Sequence, residues 1–153
     1  MNSNLNPNVQ PVHSPTVIDK VAWILIQEGK VLGARSKGKE TYYFPGGKRE
    51  AGETDVDTLV REIEEELSVR IKAETASPFG IFEADADGKA AGVRVRMVCY
   101  TAEYEGELMP AAEIAELAWL DEQDRSRVSA VSQLVFNAIY EARSGGRSCA
   151  AEE

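Results

Sequence analysis

Residues 46–69 read GGKREAGETDVDTLVREIEEELSV. The stretch divides into a glycine turn, a short polar loop and one amphipathic helix. Val56, Leu59, Val60, Ile63 and Leu67 recur at helical spacing, which places them on one stripe facing a core. Glu62, Glu65 and Glu66 fall on the other side of that helix. Residues three and four apart are neighbours on a helix surface, so Glu62 meets both of the others. Like charges at that spacing repel one another, and a bound divalent cation removes the repulsion. Hard cations such as Mg²⁺ take carboxylate oxygens and bridge to substrate phosphates. The stretch holds eight acids against three bases, so −5 of the chain's net −9 sits here. On charge alone, a solvated acidic helix face is the alternative.

The same residues resemble the signature of the Nudix hydrolases, G-x5-E-x7-R-E-U-x-E-E-x-G-U, in which U is a bulky aliphatic residue. Gly47 opens it, and Glu53, Arg61, Glu62, Ile63, Glu65, Glu66 and Val69 follow at the required spacing. Ser68 stands where the signature has its second glycine. The motif covers 23 residues, and the flanking strand pattern resembles the family from Val17 to Arg143. The resemblance implies an α/β protein, a layered α/β/α sandwich with a mixed central sheet. It implies that Glu62, Glu65 and Glu66 bind the metal, that Gly47 adds a backbone carbonyl, and that Glu53 pairs with Arg61 to hold loop to helix. The implied reaction is attack of water on a phosphorus of a nucleoside diphosphate linked to another group. The metal is Mg²⁺, with Mn²⁺ as the alternative. Such a metal neutralises the diphosphate and lowers the pKa of water, and a carboxylate within reach takes the proton. In the family a glutamate before the last strand helps with metal or base chemistry, and Glu113 and Glu116 are the candidates here.

Two local readings concern the helix ends. Thr54 and Asp57 resemble a capping box with aspartate in the glutamate position, and Asp55 and Asp57 suit the positive end of the helix dipole. Ser68 is expected in the left-handed conformation that a glycine would adopt freely, at a cost of about 1 kcal/mol.

Outside the helix, residues 17–27 and 31–36 read as a β-hairpin with Gly29 at its turn. Trp23 is read as core. Lys37 and Lys39, on the loop before Phe44-Pro45-Gly46-Gly47, are candidate phosphate contacts, as is Arg35. Tyr42 and Tyr43 alternate as on a strand, and Tyr43 is the candidate for stacking on a base. Residues 69–74 and 78–85 read as strand segments interrupted near Pro78. Asp87-Gly88 signals a turn, and residues 92–104 return as the second arm of a longer hairpin. There Arg94 and Arg96 share one face, either an outer polar face or one aimed at the cleft. A last short strand is expected at 117–120. An amphipathic helix follows over 128–143, using Val128, Val131, Leu134, Val135, Ala138 and Ile139, and is ended by Gly145-Gly146.

The 153 residues suit one domain. The expected organisation is a flexible arm over 1–15, a single domain over 16–143 and a flexible tail over 144–153. A pI near 4.7 argues against a nucleic-acid duplex or an anionic membrane as partner. No segment has the apolar length of a membrane span and no signal peptide is evident, so cytoplasm is expected. His13, the one histidine, and the distant Cys99 and Cys149 exclude a His-rich zinc site, a Ser-His-Asp triad and a disulfide framework. Carboxylates, metal and water remain to do the chemistry.

Among function classes the expectation is an enzyme acting on a small-molecule nucleotide, as a monomer or homodimer. The short chain resembles the branch that cleaves normal or oxidised nucleoside triphosphates to a monophosphate and pyrophosphate. ADP-sugar or dinucleoside polyphosphate hydrolysis is the alternative, as is a non-catalytic nucleotide sensor. The complete set of motif glutamates favours the enzyme.

Overall fold

The strand that organises the fold is β1 (Thr16–Trp23), whose two faces feed two separate cores. Alternation sends Val21 and Trp23 to one side and Ala22 to the other, and all three are buried. The computed structural model describes residues 16–86 and 92–150, with 142–150 as helix backbone. The expectations for residues 1–15, His13 and the Asp87-Gly88 turn lie outside the described residues, as does the side chain of Cys149.

β1 pairs antiparallel with β4 (Gly46–Lys48) and parallel with β7 (Val93–Thr101), which pairs antiparallel with the edge strand β6 (Ser77–Asp85). A second sheet has the order β2 (Ile26–Gln27), β3 (Lys30–Ser36), β9 (Ile114–Leu120). β5 (Arg70–Ile71) and β8 (Tyr104–Glu105) form a small ladder. The glutamate-bearing helix α1 (Asp55–Leu67) covers one face, burying Leu59, Ile63 and Leu67 against Val21, Trp23 and Leu32. The closing helix α2 (Ala130–Ala150) covers the other, burying Val131, Val135, Phe136 and Ile139 against Ala22, Ile24, Val31 and Met97. The result is the expected α/β/α sandwich with mixed strand directions.

The run over 17–27 is not one strand. After Trp23 the chain leaves β1, with Ile24 N donating to Tyr100 O and Leu25 O accepting from Leu32 N, both at 2.9 Å. It thereby stitches the two sheets together. The hairpin is β2–β3, and its turn residues Glu28 (φ 54°) and Gly29 (φ 81°) both have positive φ, as a tight hairpin turn demands. In place of a strand over 69–74 there is the two-residue β5, then a 3₁₀ turn at Ala73–Thr75. The expected interruption near Pro78 is present: β6 starts afresh at Ser77, and as an edge strand it accommodates Pro78 with a register shift between Pro78 and Gly80. β9 begins at Ile114, three residues earlier than expected. Leu134 is 38% exposed, and Phe136 takes its expected place in the core. α2 continues through Gly145 and Gly146, which therefore do not end it. A mid-helix glycine costs only about 1 kcal/mol and stops a helix only where the backbone turns left-handed. No helix among the described residues is long and apolar enough to cross a membrane.

Candidate active site

The site is built where β4 meets α1. A Cβ on Gly46, whose φ is 150°, would fall 1.9 Å from the Val21 carbonyl oxygen. A Cβ on Gly47 would fall 2.3 Å from the Glu62 carboxyl carbon. The first glycine lets β4 press against β1, and the second lets a carboxylate lie against the backbone. Gly46 N donates to Glu66 Oε1 at 3.2 Å. Glu66 is not on the solvent side of the helix as its position outside the apolar stripe suggested. It is 4% exposed, on the buried margin beside Ile63 and Leu67. Burial pushes its carboxyl up to about 8, with Glu62 and Glu113 adding to the rise and the Gly46 N–H opposing it. Glu62 is raised for the same first reason, burial, while Arg61 holds it down.

A brace fixes the loop between β4 and α1. Arg61 grips Glu53 with two bonds, Nε to Oε2 at 2.7 Å and Nη2 to Oε1 at 2.9 Å. Glu53 also accepts from Thr58 Oγ1 at 2.7 Å and from Glu50 N at 2.9 Å. Arg61 holds the Glu53 carboxyl down at about 2, helped by these two donors. Arg61 Nη2 also reaches the Lys48 carbonyl at 3.1 Å and Nη1 reaches Glu62 Oε2 at 2.9 Å. The pairing implied by the resemblance is thus present, and it ties loop, strand and helix at one guanidinium.

The helix ends as the sequence indicates. Thr54 and Asp57 form the reciprocal capping box, and Ser68 adopts φ 67°, ψ 20°. Ser68 Oγ donates to Met109 O at 3.2 Å. The loop before β9 continues that contact, with Met109 N and Ala111 N donating to the carbonyls of Leu67 and Glu66, each at 2.9 Å. This docking carries Glu113 to the site, where its charge acts on Glu62, Glu66 and Lys20.

The other candidates separate. Glu116 lies on β9 rather than in a loop, and pairs with Arg35 at 2.9 Å. Arg35 also donates to Lys39 O at 3.0 Å, so it braces its own loop. Lys37 and Lys39 are exposed there. Arg94 pairs with Glu83 and Asp85 and Arg96 with Asp19, on the face away from α2. Tyr42 is buried with Arg127 over its ring. Tyr43 lines a cleft of about 300 Å³ together with Ile18, Lys20, Lys48, Met97, Ser129 and Val131. Lys20 and Lys48 had no role assigned from sequence. The signal was a lysine inside the strand VIDKVAW, on the same face as Ile18 and Ala22. Burial lowers the Lys20 ammonium, with Glu66 opposing. A second unassigned network supports the site from behind. Arg49 bridges Asp19 and Asp55 at 2.6 Å each, and Tyr100 donates to Asp55 at 3.0 Å.

Among the described residues no three acidic, histidine or cysteine side chains are gathered into a ready metal cluster. Glu65 is 56% exposed and 3.7 Å from Arg61, and Glu62 is turned to the same guanidinium. The donor chemistry nevertheless fits a hard divalent cation. Glu62 and Glu66 lie one helical turn apart, Glu62 is packed on the Gly47 backbone, and Glu66 is a buried carboxyl whose charged form a nearby cation would stabilise.

The NUDIX domain model matches residues 18–133. No curated protein matches the chain. Solved structures do. The E. coli ORF135 protein is 25% identical with a TM-score of 0.64, covering 86% of this chain and 94% of that one. The mutator MutT protein of Bacillus halodurans is 25% identical with a TM-score of 0.61, covering 78% and 79%. A UDP-X diphosphatase, 18% identical with a TM-score of 0.63, covers 94% of this chain and 74% of its own and shares the fold. A match over most of the chain, a range that includes the glutamate helix and its glycine strand, means that the chain belongs to the Nudix family, hydrolases of phosphoanhydride bonds in nucleoside diphosphate derivatives that generally use divalent metal ions.

Proposed function

We propose that this Nudix hydrolase cleaves a nucleoside triphosphate between its α and β phosphates, releasing a monophosphate and pyrophosphate, with Mg²⁺ as its cation. One observation carries the reading: Lys20, which lines a cleft shared with Lys48, Tyr43 and the apolar Ile18, Met97 and Val131, lies within electrostatic reach of the buried Glu66 and of Glu62. Glu62, Glu65 and Glu66, with the Gly47 carbonyl, would hold the cation. When bound, it offsets the charge of the diphosphate and of the leaving oxygen. Glu62 and Glu113 are the carboxylates available to take the proton from the attacking water, whose oxygen bonds to phosphorus as the bridging P–O bond breaks. Glu53 and Arg61 keep Gly47 and Glu62 in place. The apolar wall of Ile18, Met97 and Val131, with Tyr43 at its edge, suits a nucleobase. The likeness in fold to a UDP-X diphosphatase makes a nucleotide sugar the second reading.

Product analysis tests this with a panel of normal and oxidised nucleoside triphosphates, ADP-ribose, nucleotide sugars and dinucleoside polyphosphates, each with Mg²⁺ or Mn²⁺. Monophosphate and pyrophosphate from triphosphates are expected. Intact triphosphates beside cleaved ADP-ribose or UDP-sugar would move the assignment to the second reading.

A further inference from the structure

Lys20 on β1 and Lys48 on β4 are directly opposed in the antiparallel ladder. Opposed residues project to the same face with Cβ atoms roughly 5 Å apart, and like charges there destabilise a sheet. Lys20 is also partly buried, which adds a desolvation cost. Among the described residues neither ammonium has a carboxylate within ion-pair distance. Lys20 instead lies over the Tyr43 ring, 5.3 Å from its centroid. Two cations are therefore held side by side, at a cost to the fold, with no anion in contact.

Their position gives the cost a use. Both line the cleft together with the apolar side chains of Ile18, Met97 and Val131, and Lys20 also feels the charges of Glu66 and Glu62. A ligand with its base on that wall and its reacting phosphate at the glutamates passes both ammoniums. Such a pair repels a metal ion and attracts an anion, so its contact is with the phosphate itself. We propose that Lys20 and Lys48 form a two-lysine clamp on the phosphate that carries the nucleoside, the one phosphate left on the mononucleotide after cleavage. This rests on the nucleotide reading above. It makes the clamp indifferent to the group on the far side of the broken bond, and makes the mononucleotide a product that binds without metal.

The test is calorimetric titration of the full chain in EDTA with AMP, GMP, CMP and UMP and with the four matching nucleosides. Wild type is expected to bind at least one monophosphate more tightly than its nucleoside. Lys20→Met and Lys48→Met should each weaken that monophosphate roughly tenfold or more, leave the nucleoside unchanged, and Lys20→Arg should restore most of the loss. Lys48 is exposed, so its variant stands even if Lys20→Met fails to fold. No preference for monophosphate in wild type overturns the clamp. Methionine variants that bind it normally, or that lose nucleoside equally, overturn it as well. Product analysis with metal judges the hydrolase reading separately, so a clamp without hydrolysis and hydrolysis without a clamp are told apart.

Discussion

Gly46 donates its backbone N–H to the Glu66 carboxylate, a strand reaching into a helix at 3.2 Å. Among the described residues it is the one hydrogen bond to the carboxylate of a glutamate only 4% exposed. The two adjacent glycines of this turn have different duties, and the difference is measurable. A methyl on Gly46 would meet the Val21 carbonyl and the Ala22 Cα, both backbone that cannot yield. A methyl on Gly47 would meet the end of the Glu62 side chain, which can swing away. Gly46→Ala should therefore fail to fold or melt far below wild type, since its φ is also unfavourable for alanine. Gly47→Ala should stay folded and lose most turnover and cation affinity. Equal melting of the two variants would contradict this division.

As a proposed cation ligand, Glu66 would link cation binding to pH. Its folded carboxyl titrates near 8 with burial as the first cause, against about 4.3 for an unfolded glutamate. Between those values the folded chain binds the extra proton. Its contribution to stability is full below the lower value and is lost as pH rises through the upper one. In EDTA the melting temperature should fall from pH 5 to pH 8 more steeply for wild type than for Glu66→Gln. Cation affinity should move the other way, rising toward pH 8 as the proton leaves. Mg²⁺ titrations at several pH values would show this, and an affinity flat across the range would remove Glu66 from the ligand set.

Glu53 has the opposite sign. Arg61 holds it at about 2, below the unfolded value, so its contribution is full above about 4.3 and is lost as pH falls toward 2. Glu53→Gln should melt below wild type at pH 7, with the gap closing in acid, and should lower activity through displaced loop and Glu62. Activity lost at normal melting temperature would assign Glu53 a direct role in the chemistry instead.

The motif helix was legible because its signals are local. Apolar spacing, the Thr54–Asp57 cap and the Glu53–Arg61 spacing all act within one or two turns. The basic side of the cleft was not, because it is made by strand pairing. Lys20 and Lys48 lie 28 positions apart in sequence and meet only through the β1–β4 register. Lys37 and Lys39 are nearer to the glutamates in sequence than Lys20 is, yet they sit on an exposed loop tip that Arg35 ties back. Glu113 and Glu116 could not be ranked without the start of β9, which turns Glu116 toward Arg35 and leaves Glu113 at the site. The burial of Glu66 escaped the helical pattern because a glycine strand, invisible to helix periodicity, meets its carboxylate through the Gly46 N–H.

Glu65 gives the sharpest separation between stability and function. Its side chain is 56% exposed, and its one ion pair among the described residues, to Arg61, is long at 3.7 Å. Exposed pairs of this kind contribute roughly 0–1 kcal/mol, so Glu65→Gln should melt within a degree or two of wild type. If the residue is a cation ligand, the variant loses a charge from the ligand set without losing volume, and turnover should drop by roughly a hundredfold, in the range for one electrostatic contact at a reacting centre. Measuring kcat at increasing Mg²⁺ separates two causes. A deficit that closes at high Mg²⁺ means Glu65 acts by affinity alone, and a deficit that persists means it also shapes the reacting state. Wild-type kcat at ordinary Mg²⁺ would mean that Glu62, Glu66 and Glu113 suffice, with Glu65 a solvated neighbour of Arg61.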